Sequence, residues 1–157
     1  MLDSQTKIIP PDQLADRTSA LARPLVFTNG CFDILHRGHI AYLEEARNLG
    51  QSLIVGVNSD ESVKRQNKAD NRPINTLEDR MALLASLECV DAVIRFDDDT
   101  PLELIKKVMP DHLVKGGDWK LNQIVGAEEV ESNGGQVHSL AFKFERSTTS
   151  LLERIRS

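Results

Sequence analysis

The sequence predicts an α/β fold, a Rossmann-like doubly wound parallel sheet of about five strands with helices on both faces. Two observations predict it. Five short runs of strand length recur along the chain, and amphipathic stretches of helical period separate them. Strands joined through helical crossovers run parallel, because a tight hairpin cannot connect parallel neighbours. With 157 residues, the chain is expected to form one domain (1–157), since two full cores would each be too small to hold together.

The elements follow in order. Residues 1–23 are expected to form an N-terminal extension with a short helix around Pro11 to Leu21, packed on the outside. Leu25 to Thr28 is the first strand. Ile40, Leu43, Ala46 and Leu49 recur near helical spacing, and Gly50 reads as the stop after that helix. Leu53 to Asn58 is the second strand. A loop is expected from Ser59 to Asn75, longer than the ~12–15 residues usual for a structureless connection. Thr76, with Asp79 three positions on, resembles a capping box and opens a helix striped by Met81, Leu84 and Leu87. Ala92 to Phe96 is the third strand. Thr100-Pro101-Leu102-Glu103 starts the next helix, with a capping threonine, proline at the first helical position and glutamate at the third. His112 to Lys115 is the fourth strand, Asn133-Gly134-Gly135 ends a further helix, and Val137 to Phe142 is the fifth strand. Ser147-Thr148-Thr149 caps the last helix. Such a sheet binds ligands beyond the carboxyl ends of its strands, where strand order reverses.

Composition narrows the function. Hydrophobic residues make up 40% and charged residues 27%, which excludes disorder, and no apolar run approaches the ~20 residues of a membrane helix. The first eleven residues lack the build of a signal peptide, so a cytoplasmic protein is expected. Cys31 and Cys89 form neither a disulfide framework nor a metal-ligand spacing. A net charge of −5 argues against nucleic-acid binding through a broad basic surface. Against that background, Lys64, Arg65, Lys68 and Arg72 on the long loop point to an anionic ligand, although a solvated loop explains charge alone equally well.

The densest chemical signal is Thr28-Asn29-Gly30-Cys31-Phe32-Asp33-Ile34-Leu35-His36-Arg37-Gly38-His39. It leaves the first strand, turns, and enters a helix near Gly38. A helix start at a strand's carboxyl end offers free N–H groups and a positive dipole end, which suits phosphate. His36 and His39, three apart, can face one side and donate to phosphate oxygens, making the pocket electropositive. Read by spacing alone, the pair is also compatible with capping or core roles. A zinc site wants a third ligand, which Cys31 and Asp33 do not convincingly supply, so no protein metal site is expected. Neither the G-x-G-x-x-G fingerprint nor the Walker A pattern occurs.

That stretch resembles the HxGH signature of the nucleotidyltransferase superfamily. Nearly the whole chain after Lys7 is similar to the adenylyltransferase half of bifunctional heptose kinase/adenylyltransferases and to their stand-alone counterparts, which act on D-glycero-β-D-manno-heptose 1-phosphate. The matching segments are Thr28 to His39, Val57-Asn58-Ser59-Asp60, Arg72-Pro73-Ile74-Asn75, Glu78-Asp79-Arg80-Met81, Asp111 to Trp119, Asn133-Gly134-Gly135 and Ser147-Thr148-Thr149.

The resemblance implies AMP transfer from ATP to the heptose 1-phosphate, giving ADP-heptose and pyrophosphate for lipopolysaccharide core synthesis. It implies His36, His39 and Arg80 as catalytic residues. Thr28, Asn29, Gly30, Phe32, Gly38, Lys115, Gly117, Ser147, Thr148 and Thr149 would face the nucleotide. Asp33, Asn58, Asp60, Lys64, Arg65, Arg72 and Asp118 would face the sugar phosphate, with Lys68 a weaker candidate. Mg²⁺ would ride on the substrate phosphates. Arg146 departs from the glycine- or cysteine-containing lead-in of the family. A homodimer and a separate heptose kinase are implied as partners, with no nucleic acid and no membrane. The competing readings are a cytidylyltransferase or another sugar-phosphate nucleotidyltransferase, such as one using glycerol 3-phosphate, and a non-catalytic nucleotide-sensing module.

Overall fold

The structure is a computed structural model describing residues 1–66, 70–144 and 147–157. Short 3₁₀ turns at Ser4–Lys7 and Pro11–Gln13 precede α1 (Leu14–Ser19) and β1 (Leu25–Gly30). Then come α2 (Arg37–Arg47), β2 (Ser52–Asn58), α3 (Asp60–Arg65), α4 (Leu77–Ala85) and β3 (Ala92–Phe96). The remainder is α5 (Leu102–Val108), β4 (His112–Gly116), a 3₁₀ turn at Leu121–Gln123, α6 (Ala127–Ser132), β5 (Gln136–Leu140) and α7 (Thr148–Arg156).

The five strands form one parallel sheet in the order β3-β2-β1-β4-β5, as the alternating pattern predicts. Phe27 of β1 pairs with Ile54 on one side and Leu113 on the other. Alternate residues feed opposite faces. Leu25, Phe27, Ile54, Ile94 and Leu113 pack under α5 and α6 through Leu104, Ile105, Val108 and Val130. Val26, Leu53, Val55, Val93 and Val114 pack under α2 and α4 through Tyr42, Leu43, Met81 and Leu84. Full burial of one such leucine contributes about 1.5–3 kcal/mol.

Local signals explain most boundaries. Thr76 caps α4, its Oγ1 accepting from the Asp79 N–H at 3.3 Å. Thr100 Oγ1 accepts from the Leu102 N–H at 3.4 Å, one position ahead of Pro101. Gly134, at φ +84°, takes the left-handed conformation that ends α6. Three expectations give way. Gly50 is no left-handed stop: a Cβ there would lie 2.4 Å from the Pro24 carbonyl oxygen, so close backbone approach demands the glycine. The 59–75 segment is not all loop, because Ser59 caps α3 by accepting from the Ser62 N–H. The N-terminal extension does not lie wholly outside: the Ile9 N–H donates to the Val93 carbonyl at 3.0 Å, and the Ile9 side chain is buried in the core. Among the described residues, no helix is long and apolar enough to cross a membrane.

Candidate active site

A cleft of about 260 Å³ opens beyond the carboxyl ends of β1 and β4. From β1 the chain proceeds to β2 on one side, while β4 lies on the other, so the cleft sits at the reversal of strand order. Asn29 and Gly30 line it from β1, Lys115 and Gly116 from β4, His39 and Tyr42 from α2, and Thr148 and Thr149 from α7. Cys31, Phe32, Arg72 and Phe142 complete the wall.

The turn after β1 is built around Phe32, which adopts φ 49°, a region non-glycine residues rarely enter. Its ring lies over Gly30, where a Cβ would come within 2.9 Å of it, and meets His39 edge-on at 5.3 Å. His36 caps α2: its Nδ1 accepts from the Gly38 N–H at 3.1 Å, which in the neutral ring puts the proton on Nε2. Gly38 makes that cap possible, because a Cβ there would lie 3.0 Å from the His36 ring. The expectation that Gly38 faces the nucleotide gives way to a place beneath the His36 ring, outside the cleft lining.

The two imidazoles stack, with centroids 3.8 Å apart and planes 24° off parallel. Burial first, and His36 second, push His39 down to about 4, so at neutral pH its ring is uncharged. Its buried Nδ1 has no hydrogen-bond partner among the described residues. His39 is thus a neutral ring rather than a source of positive charge, which corrects its share of the electropositive pocket expected from paired imidazoles. At the lining, positive potential comes from Lys115 and the helix N-termini, the charge of Arg72 being largely offset by its ion pair with Asp33. The chain's formal charge is −5, yet none of the described residues lining the cleft is a carboxylate.

Ser147 caps α7 in a capping box with Ser150. Its hydroxyl takes the Ser150 N–H at 3.0 Å, leaving the first N–H groups of α7, at Thr148 and Thr149, at the cleft. The Thr148 hydroxyl donates to the Ile34 carbonyl at 3.2 Å and ties α7 to the β1–α2 turn.

Several expected site residues have other employment. Thr28 is fully buried and donates to the Val114 carbonyl at 2.9 Å while sharing a hydrogen bond with the Tyr42 hydroxyl. Asp33, with no exposed side-chain surface, accepts from Arg72 Nε at 2.6 Å and from the N–H groups of Ile74 and Asn75 at 2.9 Å. Burial alone would raise its pKa, but those N–H donors and the guanidinium outweigh it and hold the carboxyl below its usual value. Asp33 anchors the Arg72 loop rather than a substrate phosphate or its metal.

Arg80 is 0% exposed and spans four segments. Its Nε donates to the Asn75 carbonyl at 3.0 Å, its Nη1 to the carbonyls of Cys31 and Asn58 at 2.9 and 2.8 Å, and its Nη2 to Asp60 Oδ1 at 2.7 Å. It does not line the cleft, so the catalytic assignment gives way to a structural one, and Asp60 is engaged with it. Asn58 is buried and donates to Ser62 Oγ at 3.0 Å. Lys64 pairs with Glu61 at 3.3 Å and Arg65 with Asp99 at 2.8 Å. Neither lines the cleft. Asp118 is exposed, Gly117 passes its N–H to the Leu140 carbonyl, and Ser147 serves as a cap; none of the three is a lining residue. Lys68 and Arg146 fall outside the described residues. Cys31, Tyr42, Gly116 and Phe142 line the cleft without having been assigned to it. Tyr42 follows His39 by three positions, the same helical spacing as His36 and His39, and that was the available signal.

The cleft can therefore receive a polyanion between two helix starts, the His39 imidazole, Lys115 and the Asp33-anchored Arg72, with no carboxylate among the described lining residues; His36, stacked on His39, is not itself a lining residue. Comparison with known proteins agrees. A family model described as cytidylyltransferase-like matches residues 27–154. The chain is 52% identical over 154 residues to a D-beta-D-heptose 1-phosphate adenylyltransferase of Bordetella bronchiseptica, covering 97% of this chain and 95% of that protein. It is 57% identical over 133 residues to the bifunctional protein HldE of Haemophilus ducreyi, covering 85% of this chain but only 28% of that much longer relative. A crystal structure of the lipopolysaccharide core biosynthesis protein from Thermoplasma volcanium superposes with a TM-score of 0.63 at 30% identity, over 78% of this chain and 98% of that one. The chain belongs to the cytidylyltransferase-like family of nucleotidyltransferases and, within it, to the heptose 1-phosphate adenylyltransferases.

Proposed function

We propose that the protein transfers AMP from ATP to D-glycero-β-D-manno-heptose 1-phosphate. A sugar-phosphate oxygen attacks the α-phosphorus in line, the bond to the β-phosphate breaks, and pyrophosphate leaves with its charge. The products are ADP-heptose and pyrophosphate. The nucleophile is already ionised, so no strong general base is needed. The difficulty is to hold two polyanions together and stabilise charge on the leaving group. His36 and His39 donate to the triphosphate, the N–H groups of Thr148 and Thr149 receive its far phosphates, and Lys115 and Arg72 offset its charge. Asn29, Gly30 and Phe32 shape the nucleotide wall. The observation that supports this reading most is the cation-bearing cleft at two helix N-termini, with no carboxylate among its described lining residues.

The lining residues do not fit a resident magnesium. Asp33 is consumed by Arg72 and two backbone N–H groups, and the described residues contain no cluster of three metal-ligating side chains. Magnesium enters this reading only with the nucleotide, held by phosphate oxygens and water. A separate heptose kinase supplies the acceptor, the product serves lipopolysaccharide core synthesis, and the enzyme works in the cytoplasm as a homodimer, which light scattering would check.

The test is pyrophosphate release with ATP and CTP in parallel, each with heptose 1-phosphate and glycerol 3-phosphate. ATP with heptose 1-phosphate should be fastest. Preference for CTP and glycerol 3-phosphate would make it a cytidylyltransferase. Tight ATP binding without turnover of any acceptor would make it a nucleotide-sensing module.

A further inference from the structure

A second cavity, about 120 Å³, opens beside the cleft and shares Asn29 and Lys115 with it. The rest of its wall is largely apolar, with Pro101 ahead of α5 and Trp119, Ile124 and Val125 from the segment after β4. Trp119 is 47% exposed, yet both its nitrogens are held. Its backbone N–H donates to Ser139 Oγ at 3.0 Å, and its indole Nε1–H donates to the Gly116 carbonyl at 3.1 Å. An exposed aromatic fixed in this way offers contact area at little entropic cost on binding. Lys115 Nζ lies 5.7 Å from the centre of its ring.

We infer that this second cavity receives the sugar ring of the acceptor, with Trp119 as its stacking platform and Lys115 placed where the acceptor phosphate meets the nucleotide. The inference rests on the proposed transferase reading and goes beyond it, by assigning the sugar a wall that no motif identified. A pyranose has a face of C–H groups, which suits the electron-rich face of an indole, while its hydroxyls remain at the polar rim. Lys115 borders both cavities, and among the described cationic lining residues it alone does so, which places it to reach a phosphate shared between them.

Trp119 is the only tryptophan of the chain, so its fluorescence reports on this cavity directly. With a non-hydrolysable ATP analogue already bound, titration with D-glycero-β-D-manno-heptose 1-phosphate should give a saturable emission change; the analogue alone should give little. Trp119→Ala should raise KM for the heptose 1-phosphate about tenfold, as expected for loss of one aromatic contact, with KM for ATP within about twofold of wild type. Val125→Phe, which narrows the cavity without touching Trp119, should raise the same KM and decides the matter should Trp119→Ala not fold. Unchanged sugar-phosphate KM in both variants, or a rise confined to ATP, would overturn the assignment. Saturable emission change without turnover by wild type would leave the cavity assigned and discard the transferase reading instead.

Discussion

Replacing Arg80 by lysine separates a structural guanidinium from a catalytic one. Arg80 is fully buried and donates to three backbone carbonyls and to Asp60, joining the turn after β1, the end of β2, the start of α3 and the lead into α4. A lysine ammonium is a single point of donation on a flexible stem and cannot reproduce a planar fork reaching four acceptors. At least two of those carbonyls then lose their partner inside the protein, at about 1–3 kcal/mol each. The expected loss is therefore about 2–5 kcal/mol of unfolding free energy. With a slope of about 2 kcal/mol per molar urea, the midpoint should fall by about 1–2.5 M. Equilibrium urea unfolding, followed by circular dichroism, measures it. An unchanged midpoint together with a hundredfold loss of kcat/KM would refute the reasoning and return Arg80 to the substrate.

Further predictions concern the groups around the cleft. Asp33→Asn should destabilise the fold and raise KM for ATP, since Arg72 loses its anchor; unaltered stability and kinetics would show the Asp33–Arg72 pair to be incidental. Because the Asp33 carboxyl sits below its ordinary value, its contribution is present above about pH 4 and disappears as pH falls through its lowered pKa, so the Asp33→Asn penalty should shrink in acid. His39 works over a different window. With a folded pKa of about 4 against 6.5 unfolded, the unfolded chain binds more protons between those values. Stability should therefore fall as pH drops from 6.5 towards 4, by at most about 3 kcal/mol from this group, and His39→Gln should flatten that slope. Nitrogen-15 NMR should show the His39 ring neutral at pH 6 in the free protein; a charged ring there would contradict its assigned surroundings. Lys115→Met should raise KM for both substrates, and an effect on ATP alone would remove it from the junction between the two cavities.

Much of the architecture was legible because it is written in local pattern. Strand-length runs, the Thr76 cap, the proline near the start of α5 and the Gly134 stop each act within a few residues. Helix α3 escaped because a six-residue helix leaves too little period to detect inside a basic stretch. Gly50 was misread because its reason is Pro24, which no local pattern reveals. The site followed the same division. Asn29, Gly30, Phe32, His39 and the threonines at the start of α7 lie at a strand end or a helix start, where backbone geometry makes phosphate contacts accessible. Arg80 and Asp33 carry equally suggestive chemistry, but their partners lie 49 and 39 residues away, at Cys31 and Arg72. A buried cation that organises a site and an exposed one that touches substrate look alike until those partners are in view. Phe142 was read as the end of β5, yet the strand stops at Leu140 and leaves the ring beside the cleft.

The most direct measurement of the central claim is steady-state pyrophosphate release by His39→Ala with ATP and heptose 1-phosphate. Loss of one preorganised donor to the charge growing on the leaving pyrophosphate should lower kcat about 10²–10³-fold in a protein that still folds. Turnover close to wild type from that folded variant would contradict the account, because the cleft would then be working without the imidazole placed at its centre.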